Sequence, residues 1–208
     1  MKHIAVVGNI GSGKTSLTRM LSEHFSWKAE FESADNNPYL ADFYDDMKAW
    51  AFHLQIYFLN SRFVQVKNIQ SSTIPVIQDR TIYEDAHIFA RNLHLTGIMN
   101  DRDFANYRAI YDSITQTITP PDLLIYLKAD LPKLQQQIQK RGRGYESDIP
   151  ADYLLSLNDL YNDWIDAYTN SDVITFDMND MDFVGKSSDF EHILTQINQQ
   201  TGMLTPSV

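Results

Sequence analysis

Residues 8–15 read Gly-Asn-Ile-Gly-Ser-Gly-Lys-Thr, which sets Gly8, Gly13, Lys14 and Thr15 at the spacing G-x-x-x-x-G-K-[ST]. The chemistry of such a turn is phosphate binding. Glycines let successive backbone N–H groups curl around phosphate oxygens where a Cβ would obstruct them, and a helix beginning just after the turn adds positive potential. Lys14 adds a mobile point charge, and the Thr15 hydroxyl suits a hard cation such as Mg2+ that bridges phosphates. The expected phosphate ligands are Gly8, Asn9, Gly11, Ser12, Gly13, Lys14, Thr15 and Ser16. The flanking sequence agrees, with the apolar run Ile4–Val7 before the turn and helix-forming residues from Ser16 to Leu21 after it.

Three more groups could serve phosphoryl transfer. Asp79 closes the run VIQD, where a carboxylate at a strand end could hold Mg2+ opposite Thr15, and Arg80 follows at once. Glu32 closes a weaker run, Ala29–Glu32, before the turn-rich SADNNPYL, and is the expected base for the acceptor hydroxyl. Glu30 shares its face by strand alternation but sits farther from the end, so it is assigned to structure. In RGRGYE, Arg141 and Arg143 alternate with Gly142 and Gly144. That pattern reads as a mobile lid, about residues 140–150, whose planar guanidinium groups close over a transferring phosphoryl group.

The elements that must position these groups are strands alternating with helices. Apolar runs rich in β-branched residues recur at Ile4–Val7, Ile74–Gln78, Leu123–Leu127 and Val173–Phe176, with Ala29–Glu32 as a fifth. Strands apolar on both faces, separated by helix-length stretches, predict an α/β domain with a parallel sheet covered by helices on both sides. Ligands then bind beyond the strands' carboxyl ends, where Gly8, Glu32 and Asp79 fall. A helix expected from about Asp42 to Ile69 carries Gln55 and Arg62 on an otherwise aromatic stripe. Such a stripe is normally core, but buried amide and guanidinium groups need partners that a ligand can supply. Tyr44 falls on the same stripe, although a straight helix would hold it about 16 Å from Gln55, so one small ligand reaches both only through long side chains or a break.

At 208 residues the chain suits a single domain. Its 17 Lys+Arg against 27 Asp+Glu, a net charge of −10, argue against nucleic acid and anionic membrane surfaces as partners, while a small anionic nucleotide remains compatible. The absence of cysteine removes disulfides and thiol catalysis. With no signal-peptide core and no membrane span in view, a cytoplasmic protein is expected.

Together GNIGSGKTS, FESADNNPYL, FHLQIYFLNSRF, QDRTIYEDAHIFA, RGRGYESDIPADYL and FDMNDMDF resemble the deoxyribonucleoside kinase family, most of all its bacterial deoxyadenosine/deoxyguanosine kinases. The resemblance covers nearly the whole chain. It implies a P-loop kinase three-layer fold, a five-stranded parallel sheet flanked by helices with a short lid. It also implies ATP-dependent phosphorylation of a nucleoside 5′-hydroxyl, with Glu32 as base, Arg80 holding it and the phosphates, and Thr15 and Asp79 serving Mg2+. By position in those motifs, Gln55, Arg62 and Asp85 read the base, Tyr44 and Glu146 bind the sugar 3′-hydroxyl, and Asp177–Phe183 surrounds the donor adenine. A homodimer packed through helices is implied as well. The chain departs from the family in carrying Asp79-Arg80-Thr81 where Glu-Arg-Ser is frequent, and Glu32-Ser33 where Glu-Pro is. The shorter Asp79 leaves open whether Mg2+ is held directly or through water.

Two other functions fit parts of the pattern. A nucleoside monophosphate kinase of the thymidylate kinase type also pairs a phosphate loop with Asp-Arg and a basic lid, but a second permanent anion matches poorly with Glu32, Tyr44 and Glu146 on the acceptor side. A regulatory module that binds ATP without catalysis would need the loop and not the base.

Overall fold

The computed structural model describes residues 1–31, 37–142 and 149–202. Five strands, β1 (His3–Val7), β2 (Lys28–Glu30), β3 (Val76–Asp79), β4 (Leu123–Lys128) and β5 (Asp172–Asp177), form one sheet in the order β2-β3-β1-β4-β5. Every neighbouring pair is parallel. The phosphate-loop strand β1 is therefore central, with β3 beside it, and Val6 lies in register with Asp79.

Alternation along the strands builds two cores. Ile4, Val6, Ile77 and Ile125 pack with Leu17 and Leu21 of α1 (Lys14–Phe25), Leu134 of α7 (Leu131–Arg141) and Ile193 of α9 (Ser187–Thr201). On the other face Ala5, Val7, Leu124 and Tyr126 pack with Leu59 of α3 (Met47–Ser71), Tyr107 of α6 (Asp101–Thr115) and Tyr161 of α8 (Ala151–Ala167). Each Val, Leu or Ile among them contributes about 1.5–3 kcal/mol by leaving water, and because both faces are covered the strands read as unbroken apolar runs. This is the three-layer α/β sandwich expected from the runs. Against the sequence boundaries, β3 starts at Val76 and leaves Ile74 exposed, and β2 ends at Glu30, whose carboxylate pairs with Lys28 at 2.6 Å.

The helix expected over 42–69 is a correction. Two helices stand there, α2 (Leu40–Asp45) and α3, separated at Asp46, whose φ of −139° and ψ of 89° are not helical. Asp46 instead caps α3, its Oδ1 accepting from the Ala49 N–H at 3.1 Å. An Asp at an N-cap is stabilised by about 1 kcal/mol over Ala, enough to favour a fresh helix start where the stripe suggested continuity. The break removes the basis for setting Tyr44 on one straight stripe with Gln55.

After β3 the chain enters α4 (Ile82–Glu84), then a π-helical turn over Asp85–Ala90, then α5 (Arg91–Leu95). Thr81 starts it with a reciprocal capping box, its side chain accepting from the Glu84 N–H while the Glu84 carboxylate accepts from the Thr81 N–H. Among the described residues no helix is long and apolar enough to cross a membrane.

Candidate active site

The loop between β1 and α1 is held from below and left open above. Gly8 has φ of +145°, and a Cβ there would lie 2.7 Å from the Leu127 carbonyl oxygen, so glycine is required by both backbone and space. Asn9 is buried and pinned, its Nδ2 donating to the Leu154 carbonyl at 2.9 Å and to Asn158 Oδ1 at 2.7 Å. The Lys14 ammonium donates to the Asn9 carbonyl at 2.8 Å, arching over the loop. Among the described residues no side chain caps α1 at Gly13, so its first N–H groups are available to a ligand. Residues 11–16 line a cleft of about 350 Å³ whose other walls include Lys133, Lys140, Arg141, Met181 and Phe183. The Phe183 ring comes so close to Gly13 that a Cβ there would meet it at 3.3 Å. The segment 177–183, expected around the donor base, thus borders the loop, and Lys133 Nζ holds it by donating to the Met181 carbonyl at 3.0 Å.

Thr15 and Asp79 meet, the hydroxyl donating to Asp79 Oδ2 at 2.6 Å. Asp79 is 2% exposed, and its Oδ1 is buried with no hydrogen-bond partner among the described residues. A buried carboxylate oxygen left unsatisfied is costly, and beside a hydroxyl it presents the oxygen set that a hard divalent cation takes. Arg80 follows with φ of +71°, unusual for a residue with a side chain. Its guanidinium stacks on Phe89, 4.4 Å from the ring centroid, and donates to the Tyr161 hydroxyl at 3.4 Å.

Two residues in this region escaped the sequence reading. Glu84 is fully buried, and its Oε1 accepts from the Gly8 N–H at 3.3 Å and the Tyr161 O–H at 2.7 Å. Its Oε2 accepts from the Thr81 N–H at 2.7 Å and hydroxyl at 3.3 Å. Burial, followed by the Glu84 charge, pushes the Tyr161 phenol well above its ordinary pKa, so it stays a donor. A signal for Glu84 was present, since Thr-x-x-Glu is a capping-box spacing; nothing local announces Tyr161.

Of the residues expected to read the base, Gln55, Arg62 and Asp85 are buried, at 4%, 2% and 3% exposure. Arg62 Nε stands 3.6 Å from Asp85 Oδ2, and its Nη1 donates to Gln65 Oε1 at 3.0 Å and the Asp79 carbonyl at 3.3 Å. The Gln55 Oε1 is buried without a hydrogen-bond partner among the described residues. Tyr107 lies close enough to Asp85 that the carboxylate, after burial itself, raises its phenol pKa well above the ordinary value. Tyr44 lies across the break on α2, 37% exposed. Arg141 is the last residue of α7, in the wall of the donor cleft. Glu32, Arg143 and Glu146, and with them most of the expected lid, lie outside the described residues.

The family model of the deoxynucleoside kinases matches residues 4–201. The deoxyadenosine/deoxycytidine kinase of Bacillus subtilis is 36% identical over 93% of this chain and 90% of its own length. The deoxyguanosine kinase of the same organism is 36% identical over 94% of this chain and 96% of its own. Among solved structures, deoxyadenosine kinase from M. mycoides with dCMP and dCDP bound superposes with a TM-score of 0.85 at 27% identity, covering 95% of this chain and 99% of that one. Likeness of this extent, in sequence and in backbone, makes the chain a member of the deoxynucleoside kinase family, an enzyme that phosphorylates the 5′-hydroxyl of a deoxynucleoside from a nucleotide donor.

Proposed function

We propose that this kinase uses ATP with Mg2+ to phosphorylate a purine deoxynucleoside, deoxyadenosine first and deoxyguanosine second, giving the 5′-monophosphate for nucleotide salvage. The observation that carries the reading of a base is the buried Gln55 Oε1, without a hydrogen-bond partner among the described residues, on the helix that also bears Arg62, while the purine preference is supported by relatives named deoxyadenosine and deoxyguanosine kinases. An acceptor so placed wants a donor on the base edge, which the adenine amino group supplies. Cytosine carries an amino group too, and a relative named for both deoxyadenosine and deoxycytidine favours deoxycytidine as a further acceptor.

Roles follow from the chemistry of each group. Gly8, Asn9, Gly11, Ser12, Gly13 and Ser16 hold the donor phosphates through the loop, and Lys14 neutralises them. Thr15 and Asp79 hold Mg2+; the ion, when bound, offsets charge on the phosphate oxygens. Glu32 takes the proton of the 5′-hydroxyl, while Arg80, Arg141 and Arg143 meet charge developing on the transferring phosphoryl group. Arg62 and Asp85 present a fixed donor and acceptor to the base, and Tyr44 and Glu146 hold the sugar 3′-hydroxyl. The chain acts as one domain with a lid over about 140–150, in the cytoplasm, as a homodimer; exposed Leu95, Ile110 and Leu155 offer apolar helix surface for that contact.

Glu32→Gln tests the assignment of the base. Phosphorylation falls at least about 10²-fold while the ATP dissociation constant stays within about twofold; an active variant removes Glu32 from the mechanism. Competition between deoxyadenosine and its monophosphate separates this reading from a monophosphate kinase, which would prefer the monophosphate.

A further inference from the structure

We infer that Glu84 and Tyr161 form a positioning relay that locks Arg80 to the phosphate loop, so that donor phosphates and guanidinium are held as one unit. The inference rests on the reading of Arg80 as a group that meets the transferring phosphoryl, and it adds two fully buried residues behind it.

The geometry is a chain of contacts among buried groups. One carboxylate oxygen of Glu84 gathers the Gly8 N–H at the root of the loop and the Tyr161 hydroxyl, and that hydroxyl meets the Arg80 guanidinium. The other oxygen takes the Thr81 N–H, directly after Arg80. Arg80 sits at φ of +71°, a conformation that persists only where neighbours over-determine it. Here it is fixed from three sides: the Thr81 N–H anchored behind, the Phe89 ring beneath the guanidinium, and Tyr161 beside it.

A capping box alone explains the contact with Thr81 but not those with Gly8 and Tyr161, which lie 76 and 77 residues away. A carboxylate buried to zero exposure is costly unless fully hydrogen-bonded, and this one spends half its acceptor capacity joining the loop to α8. Phosphoryl transfer depends chiefly on placement and fixed charge, and a shift of about 1 Å can cost about 10²-fold in rate. The relay therefore acts on kcat, through Arg80, and leaves ground-state binding of either substrate largely alone.

Tyr161→Phe removes only the hydroxyl that bridges carboxylate and guanidinium. Measured with ATP and the deoxynucleoside turned over fastest, it should lower kcat about 10-fold with both KM values within about twofold. Combined with Arg80→Lys it should be no more than about twofold slower than Arg80→Lys alone, because both changes break one link. Glu84→Gln sets an N–H against a donor on whichever side its amide turns, and should cost more, about 100-fold; should it fail to fold, Tyr161→Phe and the cycle still decide. Wild-type kcat in Tyr161→Phe, a rise in KM at constant kcat, or losses that multiply with a slow Arg80→Lys would overturn the relay alone. A fully active Arg80→Lys would overturn the reading of Arg80, and the relay with it.

Discussion

On the proposed donor side, eight consecutive residues and the start of one helix supply nearly all the groups assigned to phosphate, and most of those groups are backbone N–H. On the acceptor side, Gln55 and Arg62 come from α3, Asp85 from a π-helical turn after β3, and Tyr44 from a separate helix beyond Asp46. The first site is a conformation of a short stretch of chain. The second draws side chains from separate elements, of which the finished fold brings Arg62 and Asp85 together. A backbone cradle serves any nucleotide's phosphates, whereas a constellation of Gln, Arg and Asp can distinguish one base from another.

Substitutions on the two sides should therefore fail differently. The largest effect belongs to the donor side: Lys14→Ala removes the point charge over the loop and lowers kcat/KM for every acceptor alike, about 10³-fold or about 4 kcal/mol of transition-state stabilisation. Steady-state rates with two or more deoxynucleosides check it, and a loss confined to one acceptor would break the comparison. Next in size, Asp85→Asn leaves the Arg62 guanidinium facing a neutral amide in a buried place. Its kcat/KM for the preferred base should drop about 10²-fold, with the ATP dissociation constant unmoved and the ranking of bases altered; equal losses for all bases would assign Asp85 to scaffold.

A smaller effect reaches the acceptor helices through pH. Burial, with the charges of Arg108 and Arg91 behind it and Asp112 opposing, lowers the His87 pKa from 6.5 to about 4. The unfolded chain then takes up the proton first, so stability present above pH 6.5 is lost as pH falls toward 4, with no further loss from this group below that. Denaturant titrations across this window should give a shallower fall for His87→Phe. The variant retains the share of His3, at the start of β1, whose pKa burial also lowers.

The same contrast explains what could be read before folding. The loop was legible because its function needs only local glycines, a lysine and a hydroxyl in fixed order, and the strands because a parallel sheet covered on both faces leaves unbroken apolar runs. Val6 and Asp79 in register follow from the two runs lying side by side. The Asp46 break was hidden beneath an aromatic stripe, although an Asp ahead of helix formers is itself an N-cap signal. The π-turn at Asp85 has no sequence signature that we can name. Glu84 was half legible from its capping spacing, but its ties to Gly8 and Tyr161 span more than seventy residues and belong to packing alone.

The central claim is that a general donor cradle is coupled to an acceptor side that reads a purine. Its most direct test is relative kcat/KM for the four deoxynucleosides and their monophosphates, with ATP and Mg2+ in one assay. The account predicts deoxyadenosine first, deoxyguanosine second, and monophosphates far behind. Thymidine or deoxycytidine turned over as fast as deoxyadenosine, or a monophosphate preferred to its nucleoside, would contradict it.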